Sequence, residues 1–449
     1  MTACDRIQPS CVQQHQGGEI DIARAVFDIC ILPSSLEQSD STIKLVSSIA
    51  RKEGIDVQFT RVPAITRHFN ALFEGYRTLD ESYKRSKDTY STTIPQEHCR
   101  ILFDHMKAMD VRPDSYTVTL LMGVQKTSDD ITHLWNDVVQ ATQIKMEPPI
   151  YHSIITAYGK AGDAASACYV FDKMIASSSL SRNLSSWSVI LTALSKASAK
   201  DPNVVIDCKS STASQLIFDI DVTNQKPFGG KDFIDIVHGL TPPEAAKAIL
   251  DLMNEAKEDG EISDIVLRPN SMAYCLVASA LSRADGVGHE DAMNLFNDAV
   301  ENGLSTDGRV LNAIIRCYGD DISEALNAWK TVYRRAAMVP DKRDHPSTSF
   351  RFSRQGKNLI SAYHGLLYVA GKAYRPDIAL QVVYAMAKEG VEPTEKALNN
   401  YNAGARTRSE HLSKVLLHGQ YEELLLVECT KYDSNDRRRS SERSVRIIM

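Results

Sequence analysis

The sequence has no apolar run of about 18 residues, the length that a membrane-spanning helix needs. It also lacks a Cys-x-x-Cys pair, and none of its nine cysteines lies at zinc-ligand spacing from histidines. These absences argue against a membrane protein and against a zinc-binding module. Cys99, Cys168 and Cys317 fall on apolar helix faces, which predicts buried, reduced thiols rather than a disulfide framework.

The chain also has no excess of basic residues. It contains 51 Lys and Arg against 57 Asp and Glu, for a net charge of −6. Phosphate contacts need clustered cations, so this composition argues against a protein that coats nucleic acid by charge alone, while it leaves room for a local basic groove. Residues 1–30 contain Arg6 and Arg24 as their cations and four acids. A transit peptide is Arg-rich and poor in acids, so no clear transit peptide is predicted.

What the chain does contain is a helical pattern that recurs seven times. A residue that is usually small is followed four positions later by a bulky one and three after that by another apolar one. The copies are Cys99-Phe103-Met106, Ile131-Trp135-Val138, Ala167-Phe171-Met174, Ala246-Leu250-Met253, Ala292-Phe296-Ala299, Ala325-Trp329-Val332 and Ala379-Val383-Met386. Three of the gaps between bulky positions are 32, 36 and 33 residues. Such a period predicts stacked helical units, which offer a binding groove rather than a catalytic pocket.

The clearest unit predicts two antiparallel helices separated by a turn at 159–163, where Asp163 is a suitable N-cap. Neither apolar stripe is covered by its partner alone, so neighbouring units must stack. A second complete copy covers 360–394. The stripes of the first unit are Tyr151, Ile154, Ile155 and Tyr158 on one helix, and Ala167, Val170, Phe171 and Met174 on the other.

These units resemble the pentatricopeptide repeat, a helical hairpin of about 35 residues that ends in a Gly-x-x-Pro-Asp-like loop. The stretches 69–76 and 151–162 are similar to its first helix, and 389–393 to its loop. The related tetratricopeptide repeat fits less well, because its early tryptophan is generally missing here. The resemblance covers roughly 63–407. It implies an all-α fold, a right-handed superhelical solenoid of antiparallel helix pairs with about seven repeats.

The predicted organisation has four parts. Residues 1–62 are expected to form a degenerate N-terminal helical cap, and 63–407 the repeats, with insertions near 79–96, 198–240 and 342–357. A capping helix is predicted at 408–430. The polar, basic tail at 431–449 is predicted to be disordered.

The resemblance also implies recognition of single-stranded RNA, one base per repeat, by two side chains. One lies near the start of the first helix and the other ends the loop. Asn70/Asp114 and Asn312/Asp341 match the family's uracil-preferring pair, and Ser188/Asn270 the adenine-preferring pair. The seven pairs carried over are Asn70 with Asp114, Thr119 with Glu147, His152 with Asn183, Ser188 with Asn270, Cys275 with Asp307, Asn312 with Asp341, and His364 with Thr394.

Two further positions accompany each reader. Three residues before it the family places a side chain that sandwiches the base, and eight residues after it four units here carry a cation. The cations predict a positive strip that steers a phosphate backbone, and the alternative is that each caps the end of a helix. The sandwich positions hold Arg67, Tyr116, Pro149, Ser185, Met272, Arg309 and Ser361, and the cations are Lys160, Lys196, Arg283 and Lys372.

No catalytic constellation accompanies the repeats. The chain has no His-x-Glu followed by Cys-x-x-Cys, and no cluster of aspartates after residue 407. His98 and His105 lie on one helix side without further candidate ligands, and we interpret them as surface or packing residues. The prediction is therefore a protein that is not an enzyme, with no cofactor, no metal and no small-molecule substrate.

The leading hypothesis is an RNA-binding solenoid. By resemblance it would act in an organelle, mitochondrion or plastid, in RNA processing, stability or translation, with protein partners bound through the insertions. The alternative is a helical-repeat scaffold that binds protein, for example within a mitochondrial ribosome-like assembly. The net negative charge and the irregular sandwich positions favour the alternative.

Overall fold

Helices make up every regular element in the ranges that the structure describes. The computed structural model describes residues 63–86, 94–141, 144, 146–176, 184–216, 232–255, 268–284, 289–304, 307–338 and 354–391, with Ile20, Ala23, Arg24, Val26, Phe27, Asp28 and Ile31. The all-α prediction is confirmed. No helix of this described part is long and apolar enough to cross a membrane.

The described chain divides into two compact units, one of residues 1–200 and 205–240, the other of 201–204 and 241–449. The first contains α1 (Thr66–Ser86), α2 (Ile94–Ala108), α3 (Ser115–Val124), α4 (Ser128–Ala141), α5 (Pro148–Ala161), α6 (Ala164–Ala176), α7 (Leu184–Lys200) and α8 (Phe233–Val237). The second contains α9 (Pro242–Glu255), α10 (Ser271–Leu281), α11 (His289–Glu301), α12 (Gly308–Arg316), α13 (Ile322–Ala328), α14 (Arg334–Ala337), α15 (Arg354–Lys372) and α16 (Pro376–Lys388). A π-helical turn, Trp329–Tyr333, joins α13 to α14.

Within each unit the first helices of successive hairpins pack side by side. In the first unit α1 contacts α3, α3 contacts α5, and α5 contacts α7. In the second, α10 contacts α12 and α12 contacts α15. The second helices pack against this row, because their apolar stripes are not covered within one hairpin. The predicted helical hairpins and their stacking are therefore confirmed inside each unit.

The hairpin of α5 and α6 shows how the local sequence sets the turn. Gly162 adopts φ +89°, the left-handed conformation that glycine tolerates at a helix end, and its N–H donates to the carbonyl of Gly159. Asp163 then accepts a 2.8 Å hydrogen bond from the backbone N–H of Ser166. That bond caps the N-terminus of α6 as the sequence predicted.

The described parts of the predicted insertion at 198–240 fold back onto the first unit. The Thr212 hydroxyl donates to Asp163 at 2.9 Å and lies 2.9 Å from the Ser166 hydroxyl. Two backbone hydrogen bonds hold the ends of the insertion together, from Ile206 N–H to the Leu240 carbonyl and from Gly239 N–H to the Ile206 carbonyl. These contacts dock residues 206–216 and 232–240 on the third hairpin.

The insertion interrupts the predicted fourth repeat. The sequence paired α7 with α9, yet α7 belongs to the first unit and α9 to the second. Phe233 of α8 packs against Trp187 of α7 and Phe171 of α6. The insertion thus covers apolar surface of α7.

Some of the other predictions fall only partly within the described residues. The predicted insertion at 79–96 begins inside α1, which continues to Ser86, and the one at 342–357 ends inside α15. Cys99, Cys168 and Cys317 are buried free thiols, as predicted, and burial raises the pKa of Cys99 to about 12. The predicted cap at 408–430, the tail at 431–449 and most of 1–62 lie outside the described residues.

Candidate functional site

The predicted readers share one position in the observed helices. Six of them are the fifth residue of a first helix, near its start as the resemblance implies. His364 differs: it is the eleventh residue of α15, because that helix begins early, at Arg354. The six are Asn70, Thr119, His152, Ser188, Cys275 and Asn312.

The first predicted pair is joined directly. The Asn70 amide donates from Nδ2 to Oδ1 of Asp114 at 3.2 Å. The Thr117 hydroxyl donates to Oδ1 of Asn70 at 2.7 Å, and the Thr117 backbone N–H donates to Asp114 at 2.7 Å. Asp114 is thereby the N-cap of α3 as well as the partner of Asn70.

The charge of Asp114 is held by this network. Burial opposes its ionisation, but the hydrogen bonds from Thr117 and Asn70 outweigh burial, so the pKa of Asp114 lies below its ordinary value. The carboxylate therefore keeps its negative charge near neutral pH and fixes the direction in which the Asn70 amide points.

Other readers also reach the next first helix. The His152 ring nitrogen Nε2 lies 3.2 Å from the Ser186 hydroxyl of α7, and burial lowers the pKa of His152. The Asn312 amide donates at 2.6 Å to the Ser361 carbonyl of α15. Reader side chains thus bridge neighbouring first helices within each unit.

The loop-ending residues reach back in the opposite direction. Glu147 accepts a 3.0 Å hydrogen bond from the Ser115 hydroxyl, and Asp307 accepts one of 2.7 Å from Ser271. Ser115 and Ser271 are the first residues of α3 and α10. Glu147 and Asp307 therefore contact the helices that hold Thr119 and Cys275, the readers with which they were paired, one turn before those readers.

For four of the predicted pairs, the described residues show no hydrogen bond between the loop residue and the helix of its reader. Asn183, Asp341 and Thr394, the loop partners of His152, Asn312 and His364, lie outside the described residues. Ser188 and Asn270 are described, but they belong to different units. His364 itself is 4% exposed, so its side chain is a core residue of α15.

The sandwich positions form the exposed part of this surface. In six first helices the residue three before the reader is the second helical residue, and all six are exposed. Tyr116 and Met272 are 53% and 54% exposed, although large apolar side chains are usually buried. The remaining four are Arg67, Pro149, Ser185 and Arg309.

The four predicted groove cations have different surroundings. Lys160 and Arg283 are exposed, and Lys196 is half-buried. Lys372 donates at 3.2 Å to the Ser282 carbonyl at the end of α10, which is the helix-capping role that the sequence left open. Sequence reasoning missed Arg316, whose guanidinium carbon lies 4.4 Å from the centre of the Tyr368 ring. The feature of the sequence that could have drawn attention to Arg316 is its position one helical turn after Asn312.

The Thr117 hydroxyl is the simplest test of the network around Asn70. We expect Thr117→Val to lower the free energy of unfolding by about 1–2 kcal/mol, because the buried Asn70 oxygen loses its donor. Urea denaturation measures this value. Thr119→Val is the matched control, since the Thr119 hydroxyl donates to the Ser115 carbonyl of its own helix. Equal effects of the two substitutions would contradict the assigned network.

No protein-family model matches the chain, and no curated protein matches it. The chain is similar to a pentatricopeptide repeat protein. Two solved structures of that protein, PPR10, one of them a triple cysteine-to-serine variant, contain an 18-nt psaJ RNA element.

The extent of this similarity is limited. Sequence identity is 14% and the TM-score is 0.25 for both structures. The match covers 86% of this chain and 54% of the PPR10 chain, so the present chain spans about half of that length. The helical hairpins of the two units, rather than this likeness, define the fold described above.

Proposed function

We propose that this chain is an RNA-binding helical-repeat protein and that a single strand lies across the starts of its first helices. The observation that carries the proposal is the hydrogen-bonded pair of Asn70 and Asp114 beside the half-exposed ring of Tyr116. A polar reader, a carboxylate that orients it and an exposed flat ring are the groups that read and stack an unpaired base.

The hydrogen-bonding capacity of Asn70 supports a pyrimidine partner. A primary amide has two donors and two acceptor lone pairs. The hydrogen bond to Asp114 occupies one N–H donor of the Asn70 amide, and the hydrogen bond from Thr117 occupies one of its lone pairs. One donor and one lone pair of the amide remain. A remaining donor and acceptor suit a uracil edge, which is also the preference that the resemblance implies for Asn70/Asp114 and Asn312/Asp341. Asn70 is 7% exposed, so a base would meet little more than this edge if the present side-chain packing is kept.

Within this proposal the biological role is organelle RNA metabolism. The resemblance to pentatricopeptide repeats supports a role in transcript processing, stability or translation in a mitochondrion or plastid. The protein acts in this proposal by binding, without a reaction of its own.

A binding measurement on the full chain tests the proposal. We expect the protein to bind a labelled oligouridine at low salt and Tyr116→Ala to weaken binding about tenfold to a hundredfold, because one stacked base contributes about 1–3 kcal/mol. Fluorescence anisotropy gives the dissociation constants. Tyr384→Ala is the matched control, since Tyr384 lies on the second helix α16 and is 44% exposed.

The same titrations distinguish base reading from stacking. Asn70→Ala should reduce the preference for oligouridine over oligoadenosine, with melting curves confirming that the variant folds. Equal losses in Tyr116→Ala and Tyr384→Ala would contradict the assigned surface. A folded protein that binds no RNA at low salt would overturn the proposal itself.

The second candidate is a scaffold that binds protein, and acidic groups on the same surface favour it. The Tyr116 hydroxyl donates at 3.2 Å to Glu74, and exposed Glu147 lies at the start of α5. Carboxylates beside a stacking ring repel phosphate and attract basic side chains. Affinity capture with the folded protein, after RNA binding has been found absent, would identify such a partner.

A further inference from the structure

Tyr116 is anchored across two helices although its side chain is exposed. Its hydroxyl, on α3, donates at 3.2 Å to Oε2 of Glu74 on α1. The two residues are 42 positions apart in the sequence. The Tyr116 side chain therefore reaches from one first helix to the preceding one, over the line along which α1 and α3 pack.

Glu74, the acceptor of this bond, is itself held by Arg77. The Arg77 guanidinium donates from Nη2 to Oε1 of Glu74 at 2.6 Å and from Nε to Oε2 at 3.3 Å. The hydrogen bond from Glu74 is the first cause of the raised pKa of Arg77. A bidentate contact of this kind fixes the plane of the carboxylate. The acceptor of the Tyr116 hydroxyl is thus fixed as well.

Arg77 in turn lies against α3. A Cβ atom added at Gly123 would be 3.1 Å from the Arg77 Cδ, so the side chain passes over α3 at a residue that has none of its own. Tyr116 and Gly123 are seven residues apart, two helical turns on one face of α3. Glu74 and Arg77 are three apart on α1 and are also neighbours on one face. The contacts therefore form a closed loop between the two helices. We refer to Glu74 and Arg77 as the Tyr116 anchor.

The protonation of Tyr116 favours the same bond. Burial raises the pKa of Tyr116 above its ordinary value, and the charge of the Glu74 carboxylate raises it further. The phenol therefore keeps its proton near neutral pH and remains a donor. A hydrogen bond to a carboxylate is also stronger than one between neutral groups.

The Tyr116 anchor lies beside the reader Asn70. Glu74 is four residues after Asn70 on α1, one helical turn away on the same face. Tyr116 follows Asp114, the partner of Asn70, by two residues. By contrast, the exposed Arg309 at the corresponding position of α12 is held by Asp307, two residues before it in its own loop, at 3.0 Å. The Tyr116 side chain is fixed by a neighbouring repeat, at the place where the reader meets its partner.

We infer that Glu74 is a positioning residue for RNA: held by Arg77, it fixes the Tyr116 ring as a preformed platform on which an unpaired base stacks. This inference rests on the proposed function and adds to it a residue that acts through Tyr116. A ring that is fixed before the strand arrives loses less conformational entropy on binding. The Arg77 guanidinium also offsets the charge of Glu74, which by itself would repel a phosphate backbone.

Tyr116→Phe is the direct test, because it keeps the ring and removes only the hydroxyl. We expect the affinity of the full chain for labelled oligouridine to fall about twofold to tenfold, the effect of having to immobilise one side chain on binding. This loss should be smaller than that of Tyr116→Ala, which removes the stacking ring as well. The slope of log affinity against log salt should stay unchanged, because no charge is removed. Fluorescence anisotropy across a salt series measures both quantities.

A double-mutant cycle shows whether Glu74 acts through the hydroxyl. Glu74→Ala should weaken binding about as much as Tyr116→Phe, and the double variant should be no more than about twofold weaker than either single one. In Glu74→Gln the amide oxygen still accepts the hydrogen bond from Tyr116. That variant should retain the wild-type affinity to within about twofold, because it keeps the acceptor and loses only the charge.

Glu97→Ala is the matched control. Glu97 pairs with Arg100 three residues later at 3.0 Å, as Glu74 pairs with Arg77, but this pair lies on the second helix α2. Glu97→Ala removes the same charge and breaks the same kind of ion pair, so the affinity for oligouridine should stay at the wild-type value. Melting curves establish that each variant is folded.

The outcomes separate this inference from the proposed function. An unchanged affinity in Tyr116→Phe, or losses that add in the double variant, would overturn the positioning role and leave RNA binding in place. Tighter binding by Tyr116→Phe would also overturn it, because the hydrogen bond would then hold the ring away from the bases. A folded wild type that binds no RNA would overturn the proposed function and this inference together.

Discussion

Replacing Phe233 with alanine is expected to lower the free energy of unfolding of the first unit by about 3–5 kcal/mol, the cost of truncating a buried aromatic side chain. The Phe233 side chain is fully buried, and its ring centre lies 4.8 Å from that of Phe171 and 6.4 Å from that of Trp187. Alanine would leave a cavity between α6, α7 and α8 and would remove a large apolar contact of the insertion.

Urea denaturation followed by tryptophan fluorescence measures this loss, because Trp187 lies in the affected cluster. Val205→Ala is the matched control: Val205 belongs to the same insertion but is 58% exposed, so we expect a change within about 0.5 kcal/mol. Limited proteolysis should also show faster cleavage of 201–240 in Phe233→Ala than in Val205→Ala. Equal stability of the two variants would show that the insertion is not part of the core.

The second large effect is expected at Gly159, where the backbones of α5 and α7 lie close together. A Cβ atom added at this position would lie 2.4 Å from the Ala193 Cα and 2.8 Å from its carbonyl oxygen. Backbone atoms cannot turn aside as a flexible side chain can, so the two helices must separate. We expect Gly159→Ala to lower the free energy of unfolding by about 3 kcal/mol, the upper end of the usual cost of overpacking.

Gly123→Ala is the control for this prediction. Gly123 also lies inside a first helix, α3, but an added Cβ would meet the Arg77 Cδ at 3.1 Å. The end of a long side chain can move, and alanine favours the helix over glycine by about 1 kcal/mol. We therefore expect Gly123→Ala to be neutral or stabilising in the same urea titration. A loss as large as that of Gly159→Ala would refute the argument from close helix contact.

Both predictions concern the first unit, where the candidate site is most completely described. If α5 and α7 separate in Gly159→Ala, the contact of His152 with Ser186 is lost as well, because it bridges the same two helices. RNA binding should then weaken together with stability. Phe233→Ala acts on the other side of α7, so its loss of stability should exceed its loss of affinity when both are measured below the unfolding transition.

Apolar spacing was sufficient to locate the helices, because an amphipathic helix has one period, 3.6 residues. The reader positions came from the resemblance to the pentatricopeptide repeat, and six of them are fifth residues of first helices. The burial of Tyr151, Ile154, Phe171 and Met174 follows from the same period. His364 departs from the pattern because residues 354–360, which precede the repeat, extend its helix at the N-terminus.

Contacts between distant residues could not be predicted in this way. Thr117 and Asn70 are 47 residues apart, and no local pattern indicates that a threonine hydroxyl will lie between an amide and a carboxylate. The same holds for Arg316 and Tyr368, which come together only because α12 packs on α15. The hydrogen bonds of Glu147 and Asp307 with Ser115 and Ser271 likewise join residues more than 30 positions apart.

The sequence by itself determined the helices and their order in hairpins, because these depend on periodicity and on capping residues within a few positions. The tertiary structure decided the rest. The insertion at 198–240 has no helical period from which its docking could be predicted. Phe233 packs against a surface that Phe171 and Trp187 form together. Packing of that kind depends on shape between segments far apart in the chain, and shape is not encoded in spacing.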